Sequence, residues 1–340
     1  MTVHTTDVVV IGAGPVGLFS VFECGMLGLK CHVFDALDRV GGQCAALYPE
    51  KPIYDIPAHP HVTGAELVEN LHQQALSFQP VFHLGEQVSD IACLDADGKK
   101  WRVSGTKGTE VEAEAIIIAA GVGAFGPNRP PLAGIEDFEK ESVHYCVNSR
   151  ESYRGKHIVI AGGGDSAVDW ALSLQEIAAS VSVVHRRPKF RAAPDSESKL
   201  KQLSAAGKID LVVPYQLSAL SGQNGRLESV VVESLNGEKR SLRADVLLPF
   251  FGLSMDLGPI TNWGLETSDG NIAINQATAE TNRPGIYAIG DIATYPHKLK
   301  LILVGFAEAA QAAHAIRHFL RPEETVHFEY STTKGMPIGV

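Results

Sequence analysis

The chain has no Cys-x-x-Cys pair; its 5 cysteines stand apart at Cys24, Cys31, Cys44, Cys93 and Cys146. An odd, dispersed set excludes a disulfide-stapled secreted scaffold and offers no clustered ligands for a structural metal, so the thiols read as reduced. Long apolar runs are missing too. The longest stretches, Ala115 to Ala120 and Leu299 to Ala307, are too short or too interrupted to span a bilayer. Met1-Thr2-Val3-His4 puts no basic segment ahead of an apolar one, so no signal peptide and a cytoplasmic location are expected. Positive charge is scarce: 29 Lys and Arg against 39 Asp and Glu leave a formal charge of −10, which argues against nucleic acid and against anionic membrane as partners. What is present is length and apolar mass. The 340 residues, 45% hydrophobic, suffice for two domain cores.

Two glycine-rich fingerprints stand out, each placed between a strand pattern and a helix pattern. The first is Gly12-Ala13-Gly14-Pro15-Val16-Gly17, after the apolar run Val8 to Ile11 and before a helix over Pro15 to Leu27. Gly12 permits the tight turn, Gly14 lets backbone approach a pyrophosphate, and Gly17 lets helix and strand pack closely. The following strand, Lys30 to Phe34, ends at Asp35, an acid suited to a ribose 2′-hydroxyl. Gly41-Gly42-Gln43 can extend the phosphate and ribityl contacts. Gly290-Asp291, at the end of a later strand, offers a second acid, either to a ribityl hydroxyl or simply as a cap. These additions favour FAD at the first fingerprint.

The second fingerprint is Gly162-Gly163-Gly164-Asp165-Ser166-Ala167, between a strand over Ile158 to Ala161 and a helix over Ser166 to Ala178. Gly162 and Gly164 take the turn and approach positions. Ser166 stands at the helix start, where it either caps the helix or meets a phosphate. Where the first unit has an acid, this one has His185-Arg186-Arg187-Pro188-Lys189-Phe190-Arg191. A basic run is ordinarily a solvated face. At the end of the second strand of a nucleotide fold, however, the forks of Arg186, Arg187 and Arg191 match a 2′-phosphate, which predicts NADPH rather than NADH.

The organisation expected is an α/β chain with two Rossmann-like dinucleotide-binding domains, the second inserted into the first. Residues 1–123 and 248–340 form the FAD-binding domain with a C-terminal tail, and residues 124–247 form the NADPH-binding domain. The apolar run Asp245 to Leu248 reads as the chain re-entering the first domain. A long helix over Val304 to Leu320 follows Gly290-Asp291, with its N-terminal amides placed to favour negative charge at the flavin.

Together the two fingerprints, Gly41-Gly42-Gln43, His185-Arg186-Arg187 and Gly290-Asp291 resemble the low-molecular-weight thioredoxin reductases. The redox Cys-x-x-Cys of that group is missing, since the matching stretch His144-Tyr145-Cys146-Val147-Asn148 holds one cysteine. A closer resemblance is to the ferredoxin–NADP⁺ reductases of thioredoxin-reductase-like type. It is carried by residues 41–51 (GGQCAALYPEK), 162–170 (GGGDSAVDW), 185–192 (HRRPKFRA), Leu257-Gly258-Pro259-Ile260 and the tail with Tyr330-Ser331-Thr332.

That resemblance implies a thioredoxin-reductase-like flavoprotein architecture and a set of site residues. Tyr48 would stack on one flavin face and Tyr330 would cover the other, from its own chain or across a homodimer. Thr332 would lie near the reactive edge. Asp35 and Gln43 would hold the adenosine and ribityl parts, Val88 would offer its backbone at the adenine, Phe125 would pack at the flavin near the hinge, and Asp291 would hold the ribityl chain. Without it, Tyr48 and Tyr330 read as ordinary half-buried aromatics. The function implied is reversible NADPH:ferredoxin oxidoreduction, a hydride passing from NADPH to FAD and single electrons to ferredoxin, with flavodoxin as a possible substitute. The cofactors carry that chemistry, so no catalytic side chain and no metal is expected. The alternatives are a thioredoxin-reductase-like disulfide reductase and a non-catalytic flavin redox sensor. Because ferredoxins are acidic, docking asks for a local basic rim, for which Lys298, Lys300 and Lys334 are the candidates.

Overall fold

A computed structural model describes residues 3–139 and 141–324. The chain forms two compact units, one of residues 1–125 and 255–340 and one of residues 126–254.

In the first unit, the apolar run Val8 to Ile11 becomes the inner end of strand β1 (Val3–Ile11). It lies parallel to β2 (Cys31–Asp35) on one side and to Glu110–Ile118 on the other. Side chains alternate across the sheet: Val8 and Val10 enter one core, Val9 and Ile11 the other. Strand Glu110–Ile118 serves two partners along its second edge. Its first half is antiparallel to Trp101–Gly105, and its last three residues are parallel to Ile286–Ala288. The sheet thus reaches seven strands. Successive strands leave β1 in opposite directions, so the switch point of the sheet lies at the carboxyl ends of β1 and Glu110–Ile118.

Helix α1 (Pro15–Met26) begins at that point. Pro15 suits the first helical turn, and just past the helix end Gly28, with a φ of +75°, allows the Leu29 amide to bond back to the Cys24 carbonyl. Helices Gly64–Leu76 and Ile302–Leu320 bury their apolar faces in the same core as α1. The last of these is lined with small residues, and a Cβ on Gly305 would stand 2.4 Å from Val16 Cγ2, so α1 and this helix approach closely.

The second unit repeats the scheme with four parallel strands, in the order Asp210–Val212, Ser180–Val184, His157–Ala161, Val246–Pro249. Helix Asp165–Leu174 is shorter than its pattern predicts, because the Ile177 and Ala178 amides both turn back to the Leu174 carbonyl. An antiparallel three-stranded sheet (Tyr215–Gln223, Arg226–Ser234, Lys239–Arg243) adds a further layer to the core through Val230 and Val232. The run read as re-entry into the first domain is in fact the fourth strand of this unit, paired with His157–Ala161 from Ile158↔Val246 to Ala161↔Pro249. Apolar content alone does not say which of two parallel sheets a strand joins. The units change over after Phe125 and after Ser254, where the sequence pattern put the crossings after 123 and 247.

Candidate functional site

The carboxyl ends of the first unit's strands open into a cleft with about 1300 Å³ of empty space, part of it continuous with solvent. Gly12 sits at its floor with φ +110°, and a Cβ there would meet the Ala119 carbonyl oxygen at 2.4 Å. Gly17 lies beneath and does not line the cleft; a Cβ on it would stand 1.9 Å from the Gly12 carbonyl oxygen. Any side chain at either place would force the turn open. Gly14 and Gly42 line the cleft facing one another, a Cβ on Gly42 falling 3.1 Å from Gly14 Cα. The α1 N-terminus has no side-chain cap, so its first amides keep their capacity to bind an anion.

Asp35 ends β2 on the wall of this cleft. One carboxylate oxygen accepts from the Ala13 amide at 2.6 Å and the other from the Leu37 amide at 2.8 Å. Burial pushes its pKa up, and those two amides pull it back. Each oxygen keeps a further lone pair for a ligand hydroxyl. Gln43, Tyr48, Val88 and Asp291 line the same cleft, so residues dispersed over most of the chain converge there. The phenol of Tyr48 accepts from the Cys44 thiol at 3.4 Å, and burial raises the pKa of both groups, holding them protonated. Phe125 falls in strand Ala124–Pro127, and its side chain lies outside the described residues, as do Tyr330 and Thr332.

In the second unit, Gly162 repeats the role of Gly12: its φ is +154°, and a Cβ would meet the Phe250 carbonyl oxygen at 2.7 Å. Gly164 opens helix Asp165–Leu174 with no side-chain cap, and Ser166 is exposed in the first turn. The basic segment folds back on this turn. The Arg191 amide donates to the Gly163 carbonyl at 2.7 Å, and the Ala193 amide donates to Asp165 Oδ1 at 2.9 Å. The His185 ring covers Gly163 so closely that a Cβ there would stand 2.3 Å from it, and its Nε2 donates to the Lys189 carbonyl at 3.3 Å. Burial, seconded by the charges of Arg186, Arg187 and Arg191, lowers the His185 pKa against the pull of that carbonyl. Arg186, Arg187 and Arg191 are exposed, and none forms an ion pair among the described residues. Three unneutralised guanidinium groups beside a phosphate-type turn fit a phosphorylated ribose.

One expected docking cation is misplaced. The Lys298 side chain is 4% exposed and pairs with Glu308, itself 3% exposed, so its charge is unavailable to a partner at the surface. Lys300 is exposed and donates to Asn271 Oδ1 at 3.1 Å, whereas Lys334 lies outside the described residues. The Glu308 network escaped sequence reasoning, since nothing in a helix of small residues marks one acid as buried. No disulfide joins any of the five cysteines. The adjacent pair Cys24 and Cys31, whose thiols hydrogen-bond, lies in the core at 0% and 5% exposure.

A family model described as Pyridine nucleotide-disulphide oxidoreductase matches residues 6–317. The Ferredoxin–NADP reductase of Paramagnetospirillum magneticum is 61% identical, with all of both chains covered. That of Rhodospirillum rubrum is 61% identical, over 98% of this chain and 96% of its own, and that of Rickettsia akari is 55% identical over 97% and 98%. Among solved structures, the thioredoxin reductase of Lactococcus lactis superposes with a TM-score of 0.77 at 25% identity, covering 93% of this chain and 99% of its own. The thioredoxin reductase of T. acidophilum gives 0.78 at 20% identity, over 92% and 98%, a likeness of fold. The chain belongs to the pyridine nucleotide-disulphide oxidoreductase family and, within it, to the ferredoxin–NADP reductases of thioredoxin-reductase-like type.

Proposed function

We propose that this chain is an NADPH:ferredoxin oxidoreductase that holds FAD in the first unit and NADP(H) in the second. The observation that carries the reading is the contrast between the two glycine turns. One is flanked by a half-buried carboxylate tied down by two amides, the other by three exposed guanidinium groups without acid partners. Bound FAD supplies the exchange between the electron pair of NADPH and the single electrons of ferredoxin.

The chain's own residues bind and orient. In the first unit, Gly12, Gly14 and the uncapped start of α1 would receive the pyrophosphate, with Gly17 keeping α1 against the strand. Asp35 would accept from the adenosine ribose, Val88 would meet the adenine, and Gln43 and Asp291 would hold the ribityl chain. Tyr48 would cover one flavin face. Its phenol stays neutral there, which keeps a negative charge off the ring system. Phe125, Tyr330 and Thr332 belong to the same reading. In the second unit, Gly162, Gly164 and Ser166 would take the NADP(H) pyrophosphate, and Arg186, Arg187 and Arg191 the 2′-phosphate.

A disulfide reductase needs a dithiol that substrate can reach. Cys24 and Cys31 adjoin but are buried among apolar side chains, and the sequence has no Cys-x-x-Cys, which disfavours that alternative. A homodimer, a cytoplasmic location and flavodoxin as a substitute acceptor complete the proposal. No helix of the described residues is long and apolar enough to cross a membrane.

The test is anaerobic mixing of the FAD-loaded protein with NADPH. Rapid bleaching of the flavin is expected. Ferredoxin should then relay electrons to cytochrome c, while thioredoxin with a thiol reagent gives no turnover. A flavin that NADPH does not bleach would leave a non-catalytic binder, and turnover with thioredoxin alone would overturn the assignment of acceptor.

A further inference from the structure

The first unit buries an ion pair that the proposed chemistry does not use. Glu308, on helix Ile302–Leu320, is buried. Its Oε2 accepts from the Gly290 amide at 2.8 Å. Its Oε1 accepts from the Tyr295 hydroxyl at 2.9 Å and from the Lys298 ammonium. Burying two charges costs more desolvation than their attraction readily returns, and a well-packed apolar pair is often as stable or more so. Stability is therefore a poor account of this network.

Its geometry supplies a better one. Strand Ile286–Ala288 runs parallel to Ile116–Ile118 and delivers Gly290 and Asp291 to the cleft at the switch point of the sheet. The turn is held on its flanks, by the Ile289 amide on the Ile118 carbonyl at 3.0 Å and by the pairing of Ala293 and Thr294 with Ile272 and Ala273, but no side chain of its own fixes Gly290. Gly290 has φ +75° and no side chain, and across from it stands Val16, 3.5 Å from where a Cβ would be. The Gly290 amide itself, one residue before Asp291, is bound by the Glu308 carboxylate. The same carboxylate gathers Tyr295 and Lys298, so the whole segment from 290 to 298 is tied to a helix whose first residue, Ile302, also lines the cleft.

We propose that Glu308 is a positioning residue for the flavin end of the cleft: it fixes the Gly290 backbone so that Asp291 meets the ligand, and Lys298 is present to neutralise it. The inference rests on the reading of the cleft as the FAD site. It goes beyond that reading in assigning a role to a buried pair that would touch no ligand atom.

The experiment compares two double variants as apo-proteins titrated with FAD. Glu308→Gln with Lys298→Met removes both charges and keeps an acceptor for the Gly290 amide. Glu308→Leu with Lys298→Met removes the same charges, keeps the volume and leaves that amide without its acceptor. The glutamine pair is expected to bind FAD within about threefold of the native protein, and the leucine pair about tenfold or more weakly, with a shifted flavin absorption band. Apo-protein melting temperature is the control: it should differ little between the two pairs, and affinity of the second unit for 2′,5′-ADP should not change. A leucine pair that binds FAD as the native chain does would overturn the role of Glu308. If it fails to fold, Glu308→Met with Lys298→Met removes the same acceptor with a more adaptable side chain, and an FAD affinity unchanged within error would overturn it equally. A native apo-protein that takes up no FAD at all would instead remove the reading of the cleft.

Discussion

Replacement of Arg186 and Arg187 by alanine separates the two ligands that a nicotinamide site must tell apart. Neither guanidinium forms an ion pair among the described residues, so no native contact has to break before a phosphate is received. The loop that carries them is already seated, through the Arg191 amide on Gly163 at 2.7 Å and the His185 ring over the same glycine. Little ordering cost is left for the ligand to meet. Each fork at a phosphate dianion is worth about a factor of ten in an exposed setting, so the double variant should lose about a hundredfold in kcat/KM for NADPH. NADH has no 2′-phosphate, and its kcat/KM should stay within about threefold. Steady-state reduction of a dye acceptor with each coenzyme gives both numbers, and titration with 2′,5′-ADP against 5′-AMP gives the binding part alone. The native preference should also shrink as salt rises, since the pairs are open to solvent. Equal losses with both coenzymes would refute the reasoning, because the arginines would then serve the fold and not the phosphate.

Three further outcomes follow from the same geometry. Gly163→Ala places a methyl 2.3 Å from the His185 ring, so the ring must move and loosen the arginine loop. KM for NADPH should rise with FAD binding untouched, and an unchanged KM measured by steady-state kinetics would show that the ring is not what seats the loop. Gly17→Ala places a methyl 1.9 Å from the Gly12 carbonyl oxygen, which is backbone and cannot swing aside. The protein should be recovered without FAD, as read from its absorption spectrum, and a fully yellow variant would contradict the close approach of α1. The third concerns acid. His32 Nδ1 and His83 Nε2 lie 3.0 Å apart with His4 beside them, and burial, with the His83 and His4 rings, lowers the His32 pKa to about 4. The unfolded chain therefore takes up this proton first, and stability should be lost as pH falls from about 6.5 towards 4. Melting temperature should drop over that window and drop less in His32→Leu; parallel curves for the two proteins would exclude His32 as the cause.

Much of both sites is legible in the sequence because the constraints that specify them are local and steric. Gly17 is required by a contact within one strand–turn–helix, and Gly12 and Gly162 by the carbonyl just past the end of the neighbouring parallel strand, Ala119 in one unit and Phe250 in the other. Asp35 and the arginines are legible for a related reason: the end of the second strand is set by the length of the unit. The strand Val246–Pro249 was harder, since a uniformly apolar run carries no mark of which parallel sheet accepts it. Lys298 was harder still. Between His297 and Leu299 it reads as a surface cation, and only the fold brings it to a carboxylate on a helix ten residues further along.

This difference has a physical root that bears on how the two sites work. A glycine fingerprint reports where backbone must come close to a ligand, and it takes the same form whichever dinucleotide follows. Identity is added at the strand end by charge, and the two units add it in opposite environments. Asp35 is half-buried and held by the amides of Ala13 and Leu37, so its geometry is set before the ligand arrives and a tightly kept cofactor suits it. The arginines are exposed and would meet a phosphate from solvent, where salt screens the attraction, which suits a substrate that must leave after each turnover. The buried Glu308–Lys298 pair falls on the first side of that division: it serves the cleft whose contents stay, and no counterpart is needed where the ligand comes and goes.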